Sequence, residues 1–201
     1  MPSRAAKKAV FALWLHPASP AREFFREIIE RLARDFDAPV FPPHLTLAVR
    51  DTRPDPPLAI RSDPIRLRPS GIFFSPAFTK TLFVRFESTA ALERLVRSVG
   101  GSTAGFDPHL SLLYGKLTLA EKARLAASIS LPFSAVRFDQ LSVVRCPSPT
   151  ESRSEVEAWE YFERVRLCRR PKSSTRANEI QHKQPGGRIR RRNRARAAPS
   201  Y

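Results

Sequence analysis

The chain has little cysteine and no long apolar run. Its two cysteines, Cys146 and Cys168, are too few for a disulfide framework, and their spacing fits no metal site. No apolar stretch approaches the roughly 20 residues that cross a bilayer, so we expect no membrane contact. The early apolar run at 10–15 is followed by His16-Pro17 instead of a cleavage site, and we interpret it as a strand, not a signal peptide. These absences favour a reducing, cytoplasmic setting.

Acidic residues are scarce, and the resulting charge is uneven. The net charge is +16, of which residues 169–201 carry +10 and residues 1–168 carry only +6. Periodicity also stops near residue 168. We therefore predict one folded domain at 1–168 and a disordered basic tail at 169–201.

The tail admits two interpretations. Its run at 188–196, rich in arginine, is suited to weak, sequence-independent RNA binding or, in a eukaryote, to a nuclear signal. The alternative is an extension with no role beyond its charge, and we favour that alternative slightly. Neither interpretation bears on catalysis.

The pattern of the body predicts alternating strands and helices, with an α+β fold and helices outside antiparallel sheets. Ser88 is the predicted cap of the second helix, and Thr118 with Glu121 fits a capping box for the third. A proline-rich loop is expected at 53–57. The predicted strands are 9–15, 44–50, 65–74, 81–86, 109–114, 133–145 and 158–167, and the predicted helices are 20–36, 88–99 and 118–130.

One short sequence motif occurs twice. Residues 41–47 read Phe-Pro-Pro-His-Leu-Thr-Leu, and residues 106–112 read Phe-Asp-Pro-His-Leu-Ser-Leu. Because alternate side chains of a strand share a face, each histidine points with the hydroxyl two residues later, while the leucine between them points into the core. Two such strands side by side would present two imidazoles and two hydroxyls to one small anion.

The four side chains, His44, Thr46, His109 and Ser111, suit acid–base chemistry on a phosphate ester. A histidine with an ordinary pKa near 6.5 serves as base or acid at neutral pH, and the hydroxyls can donate to phosphoryl oxygens. This scheme requires no metal and no cofactor, and carboxylates do not cluster beside either histidine. A single histidine of this kind is more often structural, and we expect that of His16, as a surface residue at a strand end.

The two motifs, with Leu-Leu-Tyr-Gly closing the second at 112–115, resemble the signature of the 2H phosphoesterases. Within that superfamily, residues 9–167 are most similar to the cyclic phosphodiesterase (2',3'-cyclic-nucleotide 3'-phosphodiesterase-like) family. The resemblance implies a bilobal fold in which two pseudo-symmetric antiparallel sheets, flanked by outer helices, enclose a central cleft.

The resemblance also implies an activity. The protein would hydrolyse ADP-ribose 1'',2''-cyclic phosphate or nucleoside 2',3'-cyclic phosphates, the latter to the 2'-phosphate, with His44 and His109 as catalytic residues. We expect a monomer, because the cleft would form within one chain. Thr46, Ser111 and Tyr114 would hold the phosphate, and Trp14 would line the pocket near the nucleoside. By the same analogy His109 would activate water and His44 would protonate the leaving oxygen. The residues alone leave that assignment open.

Two alternatives stay open. An RNA end-processing 2H enzyme, similar to the 2'-5' RNA ligase-like branch, would keep the chemistry and change the substrate. A non-catalytic RNA- or nucleotide-binding module would keep only the fold. The intact pair of histidines, His44 and His109, argues against the second alternative, because binding alone does not need two imidazoles.

Overall fold

The structure is a computed structural model that describes residues 7–54 and 62–167. Within these ranges four helices and a short 3-10 turn at Phe78–Lys80 accompany eight strands. The helices are α1 (Ala21–Asp35), α2 (Ala90–Ser98), α3 (Leu119–Ser128) and α4 (Arg153–Glu157). The strands are β1 (Lys8–Pro17), β2 (Leu45–Arg50), β3 (Ile65–Leu67), β4 (Pro69–Phe74), β5 (Leu82–Phe86), β6 (His109–Leu113), β7 (Val136–Ser148) and β8 (Glu160–Arg166).

All strand pairs are antiparallel and form one continuous path, β3-β7-β1-β2-β6-β5-β4, with β8 also paired to β7. The α+β prediction is confirmed. The two expected sheets are the two parts of this path, one ending at β2 and the other beginning at β6. They are joined through a single ladder position, Leu45 opposite Leu110.

Alternation along the strands separates the two faces of the sheet. The face carrying the leucines is covered by α1 and α2, which bury apolar side chains at helical spacing, including Phe25 and Ile28 of α1 and Leu92 of α2. The central leucines on this face are fully enclosed and belong to the main core: Leu13, Leu15, Leu45, Leu47, Leu110 and Leu112. This alternation therefore places the histidines and hydroxyls of both motifs on the opposite face.

Helix starts follow local hydrogen bonding. The capping box at Thr118 and Glu121 is confirmed, since each side chain bonds the backbone of the other. The prediction that Ser88 caps α2 is wrong, because the hydroxyl of Thr89 accepts from the N–H of Leu92, while Ser88 bonds the carboxylate of Glu93. Two adjacent hydroxyl residues left this choice ambiguous in the sequence.

The prediction of one strand across 65–74 is also wrong. The strand breaks at Arg68, whose carbonyl oxygen accepts from the N–H of Glu87, so β3 pairs with β7 and β4 pairs with β5. The third helix ends at Ser128, two residues early, and the following strand is displaced to Val136–Ser148. Helix α4 was not predicted, and it begins where the hydroxyl of Ser152 accepts from the N–H of Glu155.

Several predictions concern residues outside the ranges that the structure describes. The tail at 169–201 and Cys168 lie outside the described residues, as does most of the predicted loop at 53–57. The domain boundary and the monomeric state stay predictions. Among the described residues, no helix is both long enough and apolar enough to span a bilayer.

The junction between the two parts of the sheet predicts a stability effect. Leu110→Ala removes a fully buried side chain at the one ladder position that joins them, so we expect the free energy of unfolding to fall by about 2–5 kcal/mol. Urea unfolding measures the change. Leu119→Ala, at a leucine that is 71% exposed, is the matched control and should shift it by less than about 0.5 kcal/mol. Equal losses in both variants would contradict the junction's structural importance.

Candidate active site

The pairing of β2 with β6 determines how the two motifs meet. Leu45 and Leu110 are directly opposite in an antiparallel pair, so the register places His44 alongside Ser111 and Thr46 alongside His109. An antiparallel pair has a local two-fold axis, which makes the two motifs equivalent. In a regular ladder the diagonal histidines would have Cα atoms about 7–8 Å apart. The structure thus brings together the four motif residues on one face, which we call the histidine face.

Both histidines are oriented by the same kind of hydrogen bond to the backbone. The Nδ1 atom of His44 lies 2.8 Å from the carbonyl oxygen of Pro42, and that of His109 lies 2.7 Å from the carbonyl oxygen of Asp107. A carbonyl oxygen can only accept, so Nδ1 carries the hydrogen in both rings. The intervening residues, Pro43 and Pro108, fix the backbone between each carbonyl and its ring. Each neutral imidazole therefore keeps its Nε2 lone pair for a ligand.

The surroundings of His44 are aromatic. Its ring stacks on Trp14 with 3.6 Å between centroids and an interplanar angle of 13°, and Phe41 and Trp159 meet it edge-on at 6.2 Å. Burial lowers the pKa of His44 to about 3, against the raising effect of the Pro42 carbonyl, and charge on His16 or His109 lowers it further. His44 is thus held neutral in the free protein.

The surroundings of His109 include charge. Its ring meets the edge of Phe83 at 5.3 Å, and the carboxylate of Asp107 accepts from Lys80 at 2.5 Å and from Arg85 at 2.8 Å. Burial lowers the pKa of His109, and the charge of Lys80 adds to that effect. For Asp107, burial raises the pKa, but the hydrogen bonds from Lys80 and Arg85 outweigh it and keep the carboxyl ionised. Lys80 and Arg85 are therefore both tied to Asp107.

A cavity of about 240 Å³ opens on the histidine face, and its wall includes His44, Thr46, Trp14 and Tyr114. The hydroxyl of Thr46 makes no hydrogen bond within the described part of the chain. His109 and Ser111 do not line this cavity. Ser111 is tied to its wall, since its hydroxyl donates to the carbonyl oxygen of Thr79 at 2.8 Å.

Trp14 and Tyr114, the two aromatic residues predicted to bind substrate, are both almost completely buried. Trp14 is only 2% exposed and lies beneath His44, so its stacking supports the imidazole directly. Tyr114 is 4% exposed and stacks on Phe41 at 3.8 Å. Burial raises the pKa of Tyr114, and a hydrogen bond with Ser111 opposes that rise, so the phenol stays protonated at neutral pH. Their roles in substrate binding stay predictions.

His16 is the residue that the sequence analysis placed wrongly. It is 4% exposed, with Nδ1 at 2.9 Å from the carbonyl oxygen of Pro43 and Nε2 at 2.7 Å from the hydroxyl of Ser142. The ring thus donates to the residue just before His44 and accepts from Ser142. Its partners come from Pro43 and from Ser142 of β7, which the local sequence does not reveal. The signal available in the sequence was that His16 lies two residues after Trp14 and therefore on the same face of the strand.

Trp159, Phe41 and Thr79 were also missed. Trp159 meets Trp14 edge-on at 5.0 Å and completes the aromatic surroundings of His44, although it is 145 residues later in the chain. Only tertiary structure brings it there. Among the described residues, no group of three or more His, Cys, Asp or Glu side chains is arranged to hold a metal ion.

The buried His16 predicts a dependence of stability on acidity. Burial lowers its pKa from 6.5 to about 4, with smaller contributions from Arg164 and Arg22, so the unfolded chain binds a proton more readily than the folded one. Stability is therefore fully present above pH 6.5 and falls as the pH drops towards 4; between pH 7 and pH 5 this one group accounts for about 2 kcal/mol. In His16→Gln the loss between pH 7 and pH 5 should be smaller by about that amount, measured by urea unfolding at both values. An unchanged loss would contradict the account.

The chain is similar in sequence to a known protein and, more distantly, to several solved structures. No protein family model matches the chain. Over 170 residues it is 28% identical to a protein of Arabidopsis thaliana named cyclic phosphodiesterase, covering 77% of this chain and 93% of that protein.

Solved structures of E. coli LigT are similar at lower identity. The form without ligand gives a TM-score of 0.46 at 14% identity, covering 81% of this chain and 99% of that one. The complex with 3'-AMP gives 0.45 at 16% identity, covering 80% and 98%. Its two His-x-(Thr/Ser) motifs meet across β2 and β6, and its sequence is similar to that of the plant cyclic phosphodiesterase. Together these two observations support an enzyme of the 2H phosphoesterase kind.

Proposed function

We propose that the protein hydrolyses a cyclic phosphodiester through a two-histidine acid–base mechanism that requires no metal. The substrate would be ADP-ribose 1'',2''-cyclic phosphate, a nucleoside 2',3'-cyclic phosphate, or both. The observation that carries the proposal is the shared tautomer of His44 and His109, in which each Nδ1 donates to a backbone carbonyl and each Nε2 remains available. A pure binding module would not need this arrangement twice.

The reaction needs one imidazole neutral and the other protonated. The neutral Nε2 takes a proton from water as the water oxygen bonds to phosphorus. The protonated Nε2–H gives its proton to the ring oxygen as the phosphorus–oxygen bond opens. For a nucleoside 2',3'-cyclic phosphate, the leaving oxygen is O3' and the product is the 2'-phosphate. The two rings finish with exchanged protonation, and solvent restores the starting state.

The hydroxyls would stabilise the charge that grows on the non-bridging oxygens. Thr46 faces the cavity with a hydroxyl that has no partner in the described residues, so it can donate at once. Ser111 donates to the Thr79 carbonyl in the free structure, so its hydroxyl must turn towards the phosphate when substrate binds. Tyr114, which lines the same cavity, would help to hold the phosphate.

The proposal is tested by hydrolysis of 2',3'-cyclic AMP in EDTA. We expect wild-type protein to release the 2'-phosphate, and His44→Ala and His109→Ala each to lose about 10²–10⁴-fold in kcat, since each removes one positioned proton-transfer group. His182→Ala is the matched control, because it removes a histidine outside the described residues. Full activity in either motif variant would refute the mechanism. No turnover of either proposed substrate by folded wild-type protein would favour the binding-module alternative.

The buried histidines also predict how the rate depends on pH. Burial lowers the pKa of His44 to about 3 and that of His109 below its ordinary value, so both rings are mainly neutral at pH 7 in the free enzyme. The productive form carries one proton on the pair. Its population, and with it kcat/KM, should rise by up to about tenfold for each unit that the pH falls from 8 towards 6. A profile of kcat/KM that increases over the same range towards pH 8 would contradict this account.

A further inference from the structure

The proline before each motif histidine has a hydrogen-bonded carbonyl, but the donor differs between the two motifs. In the second motif the carbonyl oxygen of Pro108 accepts from the backbone N–H of Phe86 at 2.9 Å. In the first motif the carbonyl oxygen of Pro43 accepts from Nδ1 of His16, also at 2.9 Å. A buried side chain thus replaces, in the first motif, a hydrogen bond that the sheet backbone supplies in the second.

The register of β1 explains why a side chain is needed there. Strand β1 pairs with β2, and Leu15 lies opposite Leu45. Continued by two residues, that register sets Pro17 opposite Pro43, and a proline has no N–H to donate. The imidazole of the preceding residue, His16, supplies the missing donor.

Ser142 orients the ring of His16. Its hydroxyl lies 2.7 Å from Nε2, and the two residues are 1% and 4% exposed. Burial lowers the pKa of His16 to about 4, so at neutral pH the ring carries one hydrogen. The carbonyl of Pro43 can only accept, so that hydrogen is on Nδ1, and Nε2 accepts from Ser142. Because a buried carbonyl without a donor is costly, this arrangement strongly favours one position for Pro43.

His44 is connected to this hydrogen bond through two consecutive prolines. Its Nδ1 donates to the carbonyl oxygen of Pro42 at 2.8 Å, and the next carbonyl, of Pro43, accepts from His16. The fixed φ angles of both prolines limit how far the segment can adjust on its own. The rings of His16 and His44 are 6.4 Å apart between centroids, and both nitrogens of His16 are already hydrogen-bonded. His16 therefore acts on His44 through the backbone and not by direct contact with a ligand.

We propose that His16, oriented by Ser142, is a positioning residue for His44. By holding the carbonyl of Pro43 it fixes the direction in which Nε2 of His44 points. The effect on rate rests on the proposed function, whereas the hydrogen bonds themselves are a property of the free protein. The proposal also gives the two motifs different sensitivities, since the segment before His109 is held by the backbone of β5.

The test measures kcat for 2',3'-cyclic AMP and the ring ¹⁵N signals of both motif histidines in the full-length protein. His16→Leu keeps an apolar side chain and removes both hydrogen bonds. We expect it to lower kcat by about 10–100-fold with KM within about twofold of wild type, because a displacement of about 1 Å in a reacting group is enough for such a loss. The Nδ1 signal of His44 should move, and the signals of His109 should not.

Further variants separate positioning from stability. His16→Gln can still donate to Pro43 and accept from Ser142, so it should keep kcat within about threefold of wild type. Thr89→Ala removes the cap of α2, and as the control for a loss of stability elsewhere it should leave kcat and all ring signals unchanged. If His16→Leu does not fold, Ser142→Ala takes its place, with a smaller loss of kcat and a shift of the same His44 signal.

Unmoved His44 signals in the folded variant, or a loss of kcat that His16→Gln shares in full, would overturn the inference. Hydrolysis by the wild-type protein would then still support the proposed function. If the wild-type protein hydrolyses neither proposed substrate, the proposed function fails, and the His44 signals still decide whether His16 holds that ring.

Discussion

The site depends on one point of contact between the two parts of the sheet. Leu45 and Leu110 are the only residues that pair β2 with β6 among the described strands, and both side chains are fully enclosed in the core. Because neighbouring side chains on a strand point to opposite faces, burying these leucines places the histidines and hydroxyls on either side of them on the histidine face. A shift of one residue in either strand would turn an imidazole into the leucine core and a leucine onto the histidine face. The hydrophobic core therefore sets the register on which the chemistry depends.

The same local motif is placed in two different environments. Around His44 the neighbours are Trp14, Phe41 and Trp159, while His109 lies beside the ionised Asp107 with its two cations. Both environments favour the neutral imidazole in the free enzyme, the aromatic one more strongly. Under the proposed mechanism, an anionic phosphate between the rings would oppose this preference and favour a proton on one of them. Substrate binding would then create the charge state that the proposed reaction requires.

The sequence predicted the parts of the site that follow from local rules. A period of two placed both motifs on strands, and the capping box predicted the start of α3, because each depends on residues close in the chain. Interactions between distant segments were not visible. The burial of His16 depends on Ser142, 126 residues away, and the break at Arg68 depends on Glu87. The cavity at His44 likewise joins Trp14, Thr79 and Thr150, which are distant in the chain, so no local pattern could reveal it.

The central claim is that both imidazoles carry their hydrogen on Nδ1 and direct Nε2 at one shared anion. Long-range ¹H–¹⁵N NMR of the histidine rings, recorded before and after adding 2'-AMP as the reaction product, tests it directly. We predict that His44 and His109 both show protonated Nδ1 and unprotonated Nε2 in the free protein, and that the Nε2 signals of both rings shift when 2'-AMP binds. The opposite tautomer in either ring, or a response from only one of them, would contradict the claim.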